Sequence, residues 1–457
     1  MLSLTHMKHQ QYLKNSILLL LLSLFIITTY SQLPKGDRIL AWQVDMAQNN
    51  NYDSAYAYAQ IGCMESIHLT FAWSSIEPNS GIFDLNYISN VLDIANIYYP
   101  AYGTKVELQI PTMNTNVKVT PTDLILTDFD DIMMINRFKT LLDTLFAHIP
   151  NVQLSALNIG NESDIYMGSN AIEYNQYKTF LDSIVPYAKQ LYFNLHGESL
   201  KVGTTFSYHG LVQTSTSSLC QMINNGLDII ALTYYPLNSD FTMKSPSVVN
   251  SDFSSLVGIY SDTLQPIYFT ECGYASSDSC NSSNALQAQF YQNVFNSWDN
   301  YYDNIKYLTI FKSTDWSQQE VSDLGTFYGI TDIKFLEFLK TLGVRTWDNN
   351  GTNKPAYETI LCELNTRAWC SGNCNITGIN KKEEINIIKI YPNPTNGLIN
   401  IDTKKLIEKI KIYTVTGNLS FTSDDKILDI HSLSNGIYYL SIEFESGKIE
   451  RKKIIKL

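Results

Sequence analysis

Leu154-Ser-Ala-Leu-Asn-Ile-Gly-Asn-Glu-Ser163 is a short apolar run that stops at Gly160 and then presents Asn161 and Glu162. Far downstream, Pro266-Ile-Tyr-Phe-Thr-Glu-Cys-Gly273 has the same build, a β-rich run that delivers a carboxylate, Glu271, just ahead of a Gly turn. Two carboxylates at the ends of two strands form an acid and nucleophile pair if the chain between them brings them together. The order of elements around the two stretches decides whether it does.

Upstream of Leu154, apolar runs at Ile39–Val44, Glu65–Phe71 and Lys105–Ile110 read as strands, the last broken by Pro111. Helical spacing follows them at Asp53–Ile61, at Leu85–Tyr98 behind the capping residue Asp84, and at Ile132–Ile149. Downstream, the helix Ile172–Phe193 follows, with a kink expected at Pro186. Strands at Lys201–Phe206, Asp228–Tyr235, Ile267–Thr270 and Tyr307–Phe311 come next, with helices at Ala285–Trp298 and, last, Ile333–Leu342. Leu154–Ser163 is then the fourth of eight strands and Ile267–Thr270 the seventh. Eight strands alternating with helical patterns over about 330 residues predict a (β/α)₈ TIM barrel. The rival, an open doubly wound sheet, calls for a glycine-rich phosphate turn after an early strand, and Ile39–Asp53 contains no glycine.

The 457 residues suffice for one large barrel and a small module, and 44% hydrophobic with 17% charged is a globular composition. Lys8 and Lys14, the apolar run Ile17–Ile27 and the small polar exit Thr28-Thr-Tyr-Ser31 follow the plan of a secretory signal peptide over residues 1–31, too short to favour a membrane span. Against a net charge of −12, that leader carries +2 and residues 379–457 carry +3, which puts −17 on residues 32–378. So acidic a surface repels nucleic-acid backbones and remains compatible with neutral sugars. A monomer is expected.

Seven cysteines occur, at 63, 220, 272, 280, 362, 370 and 374. In an exported chain the close spacings Cys272/Cys280 and Cys362/Cys370/Cys374 allow local disulfides, and the odd total leaves at least one thiol unpaired. Zinc is the weaker reading of the last cluster, because no histidine lies near those cysteines and no Cys-x-x-Cys occurs. His68, His148, His196 and His209 lack metal-ligand spacing, so no metal and no cofactor are expected.

Beyond Trp369 the composition changes. Cys370–Glu384 is polar and reads as a linker; from Ile385 to Leu457 short strand-like runs separated by turn signals predict a small all-β sandwich.

The barrel stretches resemble a known group: Asn161-Glu162 after the fourth strand, Glu271 after the seventh, Tyr234-Tyr235 after the sixth and Trp316 after the eighth are similar to the clan A glycoside hydrolases, retaining β-glycosidases on (β/α)₈ barrels. The resemblance implies an extracellular polysaccharide or oligosaccharide substrate, Glu162 as general acid/base and Glu271 as nucleophile. Asn161 would hydrogen-bond the sugar 2-hydroxyl, Tyr234 or Tyr235 would orient Glu271, and Trp316 would be the platform under the sugar, with one of the two tyrosines packing outward. Trp73, in Trp73-Ser-Ser-Ile-Glu-Pro-Asn-Ser-Gly-Ile-Phe-Asp84, resembles the strand-two loop of several of these families and is expected at the rim. Lys354-Pro-Ala-Tyr357 is similar to their closing segment. Glu77-Pro78 reads as a loop stiffener, and Asp315 as a substrate contact or a turn cap.

Many members place an Arg near the end of strand two to contact the nucleophile; here that strand offers His68 and Thr70. Endo action is the expectation from long loops and scattered aromatics, and a non-catalytic glycan-binding protein on a degenerate barrel is the alternative.

The tail resembles a different family. Ile390-Tyr-Pro-Asn-Pro-Thr-Asn-Gly397, Ile412-Tyr-Thr-Val-Thr-Gly417, Leu433-Ser-Asn-Gly-Ile-Tyr-Tyr439 and the basic ending Lys452-Lys-Ile-Ile-Lys-Leu457 are similar to the C-terminal sorting domain of the type IX secretion system. That resemblance implies export across both membranes of a Bacteroidota-type cell, followed by release or surface attachment.

Overall fold

The computed structural model describes residues 35–370, 388–403, 406–414, 418–444 and 449–457, and the chain divides into two compact units at 376/377. The leader, and the linker beyond Cys370, lie outside the described residues.

The first unit is a ring of eight parallel strands. They are β1 (Ile39–Trp42), β2 (Ser66–Thr70), β3 (Lys105–Asn114), β4 (Leu154–Asn161), β5 (Val202–Gly203 with Thr205–Ser207), β6 (Ile230–Tyr234), β7 (Ile267–Cys272) and β8 (Ile305–Ile310). β8 returns to β1, with Tyr307 beside Ile39. β5 completes the ring in two pieces: Val202 and Gly203 pair with Leu157 and Asn158 of β4, then Thr205–Ser207 pair with Ala231–Thr233 of β6. The predicted break at Pro111 does not occur. β3 runs through it to Asn114, because its register with β4 is interrupted between Ile110 and Asn114, where a missing N–H costs no ladder bond.

Helices α1 (Tyr52–Ile61), α2 (Asp93–Tyr102), α3 (Ile132–His148), α4 (Ala171–His196), α5 (Ser217–Asn224), α6 (Val249–Ile259) and α7 (Asn284–Asn300) cover the strands. Asn51, Asp131, Asn170 and Ser283 cap four of them through side-chain acceptors. After β8 come α8 (Gln318–Tyr328), α9 (Ile333–Lys340) and α10 (Pro355–Thr366). Ile333–Lys340 is therefore not the last helix. The Lys354-Pro-Ala-Tyr357 segment opens α10, with Pro355 in the first turn, where its missing N–H has no partner to lose. α8 went unread because it is mostly polar, yet Ser317 and Glu320 form a reciprocal capping box at its start.

The predicted local pairing of Cys272 with Cys280 does not form: both are buried free thiols, as is Cys220. Cys63 instead pairs with Cys370, 307 residues away, and Cys362 is also disulfide-bonded. Sequence proximity was a poor guide to the partner of Cys63 and Cys370. The fold sets the end of α1 beside the residues that follow α10, with the two Cα atoms 6.1 Å apart.

The second unit has a three-stranded and a four-stranded antiparallel sheet, built from β9 (Lys389–Tyr391), β10 (Leu398–Asp402), β11 (Ile407–Thr414), β12 (Leu419–Ser423), β13 (Ile427–Asp429), β14 (Gly436–Phe444) and β15 (Ile449–Lys456). Alternate residues such as Ile399, Ile401, Ile410, Ile412, Leu440 and Ile442 turn into one shared apolar core. Among the described residues no helix is long and apolar enough to cross a membrane.

Candidate active site

At the end of β4 the backbone turns sharply. Gly160 has φ +95°, and a Cβ there would stand 2.6 Å from both Ser163 Oγ and Tyr177 Oη, so only glycine fits. Glu162 itself is left-handed, at φ 46° and ψ 44°, a conformation that costs a non-glycine residue on the order of 1–3 kcal/mol. The strained turn directs its side chain toward β6: Thr233 Oγ1 donates to Glu162 Oε1 at 2.7 Å, and Thr115 Oγ1 donates to Oε2 at 2.7 Å. Thr233 is the register partner of Glu271 on β7. The two carboxylates therefore share one neighbour, and Tyr235 Oη holds the second of them, donating to Glu271 Oε2 at 2.5 Å. Behind the turn, buried Asp164 accepts from Ser207 N and Oγ, both at 2.6 Å, and ties the β4 loop to β5.

A polar network fills the barrel on the β2–β4 side. His68 Nδ1 bonds buried Glu107 on β3, whose other oxygen accepts from Asn158 Nδ2 at 2.5 Å. On the far side of the ring, His68 Nε2 lies 3.3 Å from Thr70 Oγ1. That hydroxyl donates its one hydrogen to Gln109 Oε1 (3.1 Å), and Gln109 Nε2 donates on to Asn161 Oδ1 (3.1 Å), with Asn161 Nδ2 donating to Asn114 Oδ1 (3.0 Å). Both ring nitrogens thus have an oxygen within hydrogen-bonding reach. Protonation of both would make His68 an imidazolium. Burial opposes that charge, but Glu107, and then Glu271 and Asp45, outweigh it and hold the His68 pKa above the ordinary value. His68 thus stands on strand two with its protonated form favoured.

Glu271 is shifted toward its neutral form. Burial, aided by the charge of Glu162, pushes its pKa up to about 7, although His68 and the Tyr235 hydroxyl both pull it down.

The aromatic residues divide. Tyr235 faces the site; Tyr234 points out of the ring, fully buried against Phe253 and Phe290, with its hydroxyl on Asp252 Oδ2 at 2.9 Å. Consecutive strand residues face opposite sides, so only one of the pair could reach Glu271. Trp73 does not stand at the rim. It is fully buried edge-on against Phe138, and its indole N–H donates to Glu77 at 2.8 Å. Glu77 also accepts from Gly81 N and Arg137, so this loop is a structural hub.

Trp316 is half-buried, with Lys312 Nζ 3.6 Å from its ring centre, so one face of the indole is already occupied. Phe311 stands between Tyr235 and Trp316, 5.9 Å from each. Asp315 is bound to Lys354 Nζ at 2.6 Å and serves the closing segment.

Sequence reading missed Thr115, Thr233, Glu107, Lys312 and Phe311. Glu107 and Gln109 carried a signal, two polar side chains on one face of an otherwise buried strand. The threonines carried none. Among the described residues no group of three or more His, Cys, Asp or Glu could hold a metal ion. A surface hollow on the outer side of α4, near Pro186 and Phe193, lies on the helical shell, and Lys189 is its one charged group.

Comparisons with known proteins bear on the fold and on the tail. No curated protein sequence matches the chain. Solved structures do: a GH5_18 variant from Bifidobacterium longum subsp. longum, in complex with Manβ1-4GlcNAc, has a TM-score of 0.54 at 13% identity, covering 72% of this chain and 79% of its own. The exo-β-1,4-mannosidase Op5Man5 from an Opitutaceae bacterium gives 0.52 at 12%, covering 73% and 60%. A GH5_18 variant from Streptomyces cattleya, also with Manβ1-4GlcNAc, gives 0.52 at 12%, covering 74% and 82%. Residues 389–456 match the family model described as the secretion system C-terminal sorting domain, which indicates export by the type IX system to the cell surface or beyond. The chain thus joins a (β/α)₈ barrel with the fold of clan A glycoside hydrolases to a C-terminal sorting domain.

Proposed function

We propose that the protein is an exported retaining glycoside hydrolase that cleaves O-glycosidic bonds of an extracellular poly- or oligosaccharide. The observation that carries this reading is the pair of carboxylates on β4 and β7, brought together through Thr233. Glu271 attacks the anomeric carbon while Glu162 gives its proton to the leaving oxygen; water, deprotonated by Glu162, then releases the sugar from the Glu271 ester. Glu271 must be ionised to attack; burial and the charge of Glu162 oppose that ionisation, so the groups that favour it matter to the scheme. Tyr235 and His68 favour the ionised form of Glu271 and so act as its positioning residues. Asn161, fixed by Gln109 and Asn114, keeps one N–H for the sugar 2-hydroxyl.

β-Mannosides are the first probes, given the ligands and names of the similar structures. Wild type should turn over one member of a 4-nitrophenyl glycoside panel, release a first product of unchanged anomeric configuration by NMR, and lose at least about a thousandfold in kcat as Glu271→Ala or Glu162→Ala. A wild type that binds glycans yet hydrolyses no member of the panel defeats the reading in favour of a binding barrel.

A further inference from the structure

The segment between β8 and α10 folds over the strand ends. α8 finishes at Tyr328, and Asn116, at the tip of the hairpin that follows β3, donates from Nδ2 to Tyr328 O at 3.0 Å. The Tyr328 side chain is half-buried, faces Thr115 and Asn114, and lies close enough to Glu162 that the carboxylate, after burial itself, raises its pKa. On the opposite side, α9 is tied to the loop after β6 by Lys334 Nζ to Asp240 Oδ2 at 2.7 Å and by Phe335 against Phe241 at 5.0 Å. It is tied to the loop after β7 by Ser277 Oγ donating to Glu337 at 3.0 Å. In the ring order β3-β2-β1-β8-β7, β3 and β7 stand four places apart out of eight, that is, diametrically opposite. The insert therefore spans the mouth, anchored at both rims, with Tyr328 beside the residue read as acid/base.

We infer that this strap makes the site a blind pocket, entered by the end of a glycan chain and closed to a chain passing through. The inference rests on the glycosidase reading and deepens it. Endo action was expected from long loops; two of those loops are joined across the cleft they were expected to leave open.

The probes are the aryl glycoside that wild type turns over and the hexasaccharide and soluble polymer of the same sugar, the hexasaccharide labelled at its reducing end with 2-aminobenzoate. A blind pocket yields labelled penta-, then tetra-, then trisaccharide in sequence, with polymer viscosity almost unchanged while sugar is released. A full ladder of labelled products at the first time point, with an early collapse of viscosity, overturns the pocket while leaving the hydrolase intact. No turnover of any aryl glycoside defeats both. Asn116→Gly with Tyr328→Gly should raise interior cleavage at least tenfold relative to aryl-glycoside turnover, whereas Tyr328→Phe, which keeps the ring, should retain stepwise release. An unchanged product ladder in a folded double variant also overturns the inference.

Discussion

The barrel has one interior and two opposite uses for it. At the N-terminal ends of the strands, Ala41, Ala156, Ile229 and Ala231 pack around Tyr268 and Tyr307, whose rings stack 4.9 Å apart. The two hydroxyls are satisfied by Lys201 Nζ (3.1 Å) and Ser66 Oγ (2.9 Å), so this layer is closed. Further along the strands Glu107, His68 and Gln109 bring in polar and charged groups, and the C-terminal ends carry Asn161, Glu162 and Glu271. One end minimises unsatisfied polarity by excluding it, and the other concentrates charge that only a partner charge makes tolerable. Sites need that second arrangement, and barrels place it where the strands emerge.

Substitutions on either side break this contrast differently. The largest effect is expected from His68→Ala, which strips buried Glu107 of its ion-pair partner: about 3–5 kcal/mol of stability by denaturant melt, and on the order of a hundredfold in kcat/KM through loss of the cation near Glu271. A purely structural role would leave the pH profile alone. Loss of a cation that lowers the Glu271 pKa should instead move the acid limb of the profile upward from about 7.

Tyr307→Ala, in the closed layer, should cost a similar 3–5 kcal/mol, roughly, while kcat per folded molecule is unchanged. A Tyr307 variant that loses turnover at full foldedness would erase the division between the two ends.

Tyr235→Phe is the smallest change, removing one hydrogen bond to a carboxylate. Activity should fall by roughly tenfold and the acid limb should again rise, since the hydroxyl favours the ionised form.

Stability should track pH in one direction. Glu271 binds its proton more tightly folded than unfolded, so its contribution declines as pH rises from 4.5 to about 7. His68, with its folded pKa raised above 6.5, contributes fully below that value and loses its contribution as pH rises through the folded pKa. A melting temperature that climbs between pH 5 and 8 in both wild type and His68→Ala contradicts the Glu271 assignment, and a climb confined to wild type contradicts that of His68.

Much of the ring was legible because each strand is a short apolar run with its own helix behind it, a pattern local to some thirty residues. Glu162 and Glu271 were legible for the same reason, as carboxylates at strand ends. What was not legible depends on side chains meeting across the ring. Trp73 and Tyr234 look like binding aromatics in one dimension, and both are packed into the shell because their positions on loop and strand turn them away from the mouth. Thr233 carries no sequence signal, since its role exists only once β6 lies beside β7. Cys63 and Cys370 show the same limit, pairing across 307 residues.

Sequence by itself determined the eight-fold alternation of strand and helix, the two carboxylates at strand ends four and seven, and the sorting tail, because periodicity, turn chemistry and short motifs are written along the chain. Tertiary structure alone decided that His68 meets Glu107, that Tyr235 and not Tyr234 holds Glu271, and that Asn116 meets the end of α8. Those outcomes rest on hydrogen bonds and ion pairs between residues tens to hundreds of positions apart, and such contacts come into being only when the ring closes.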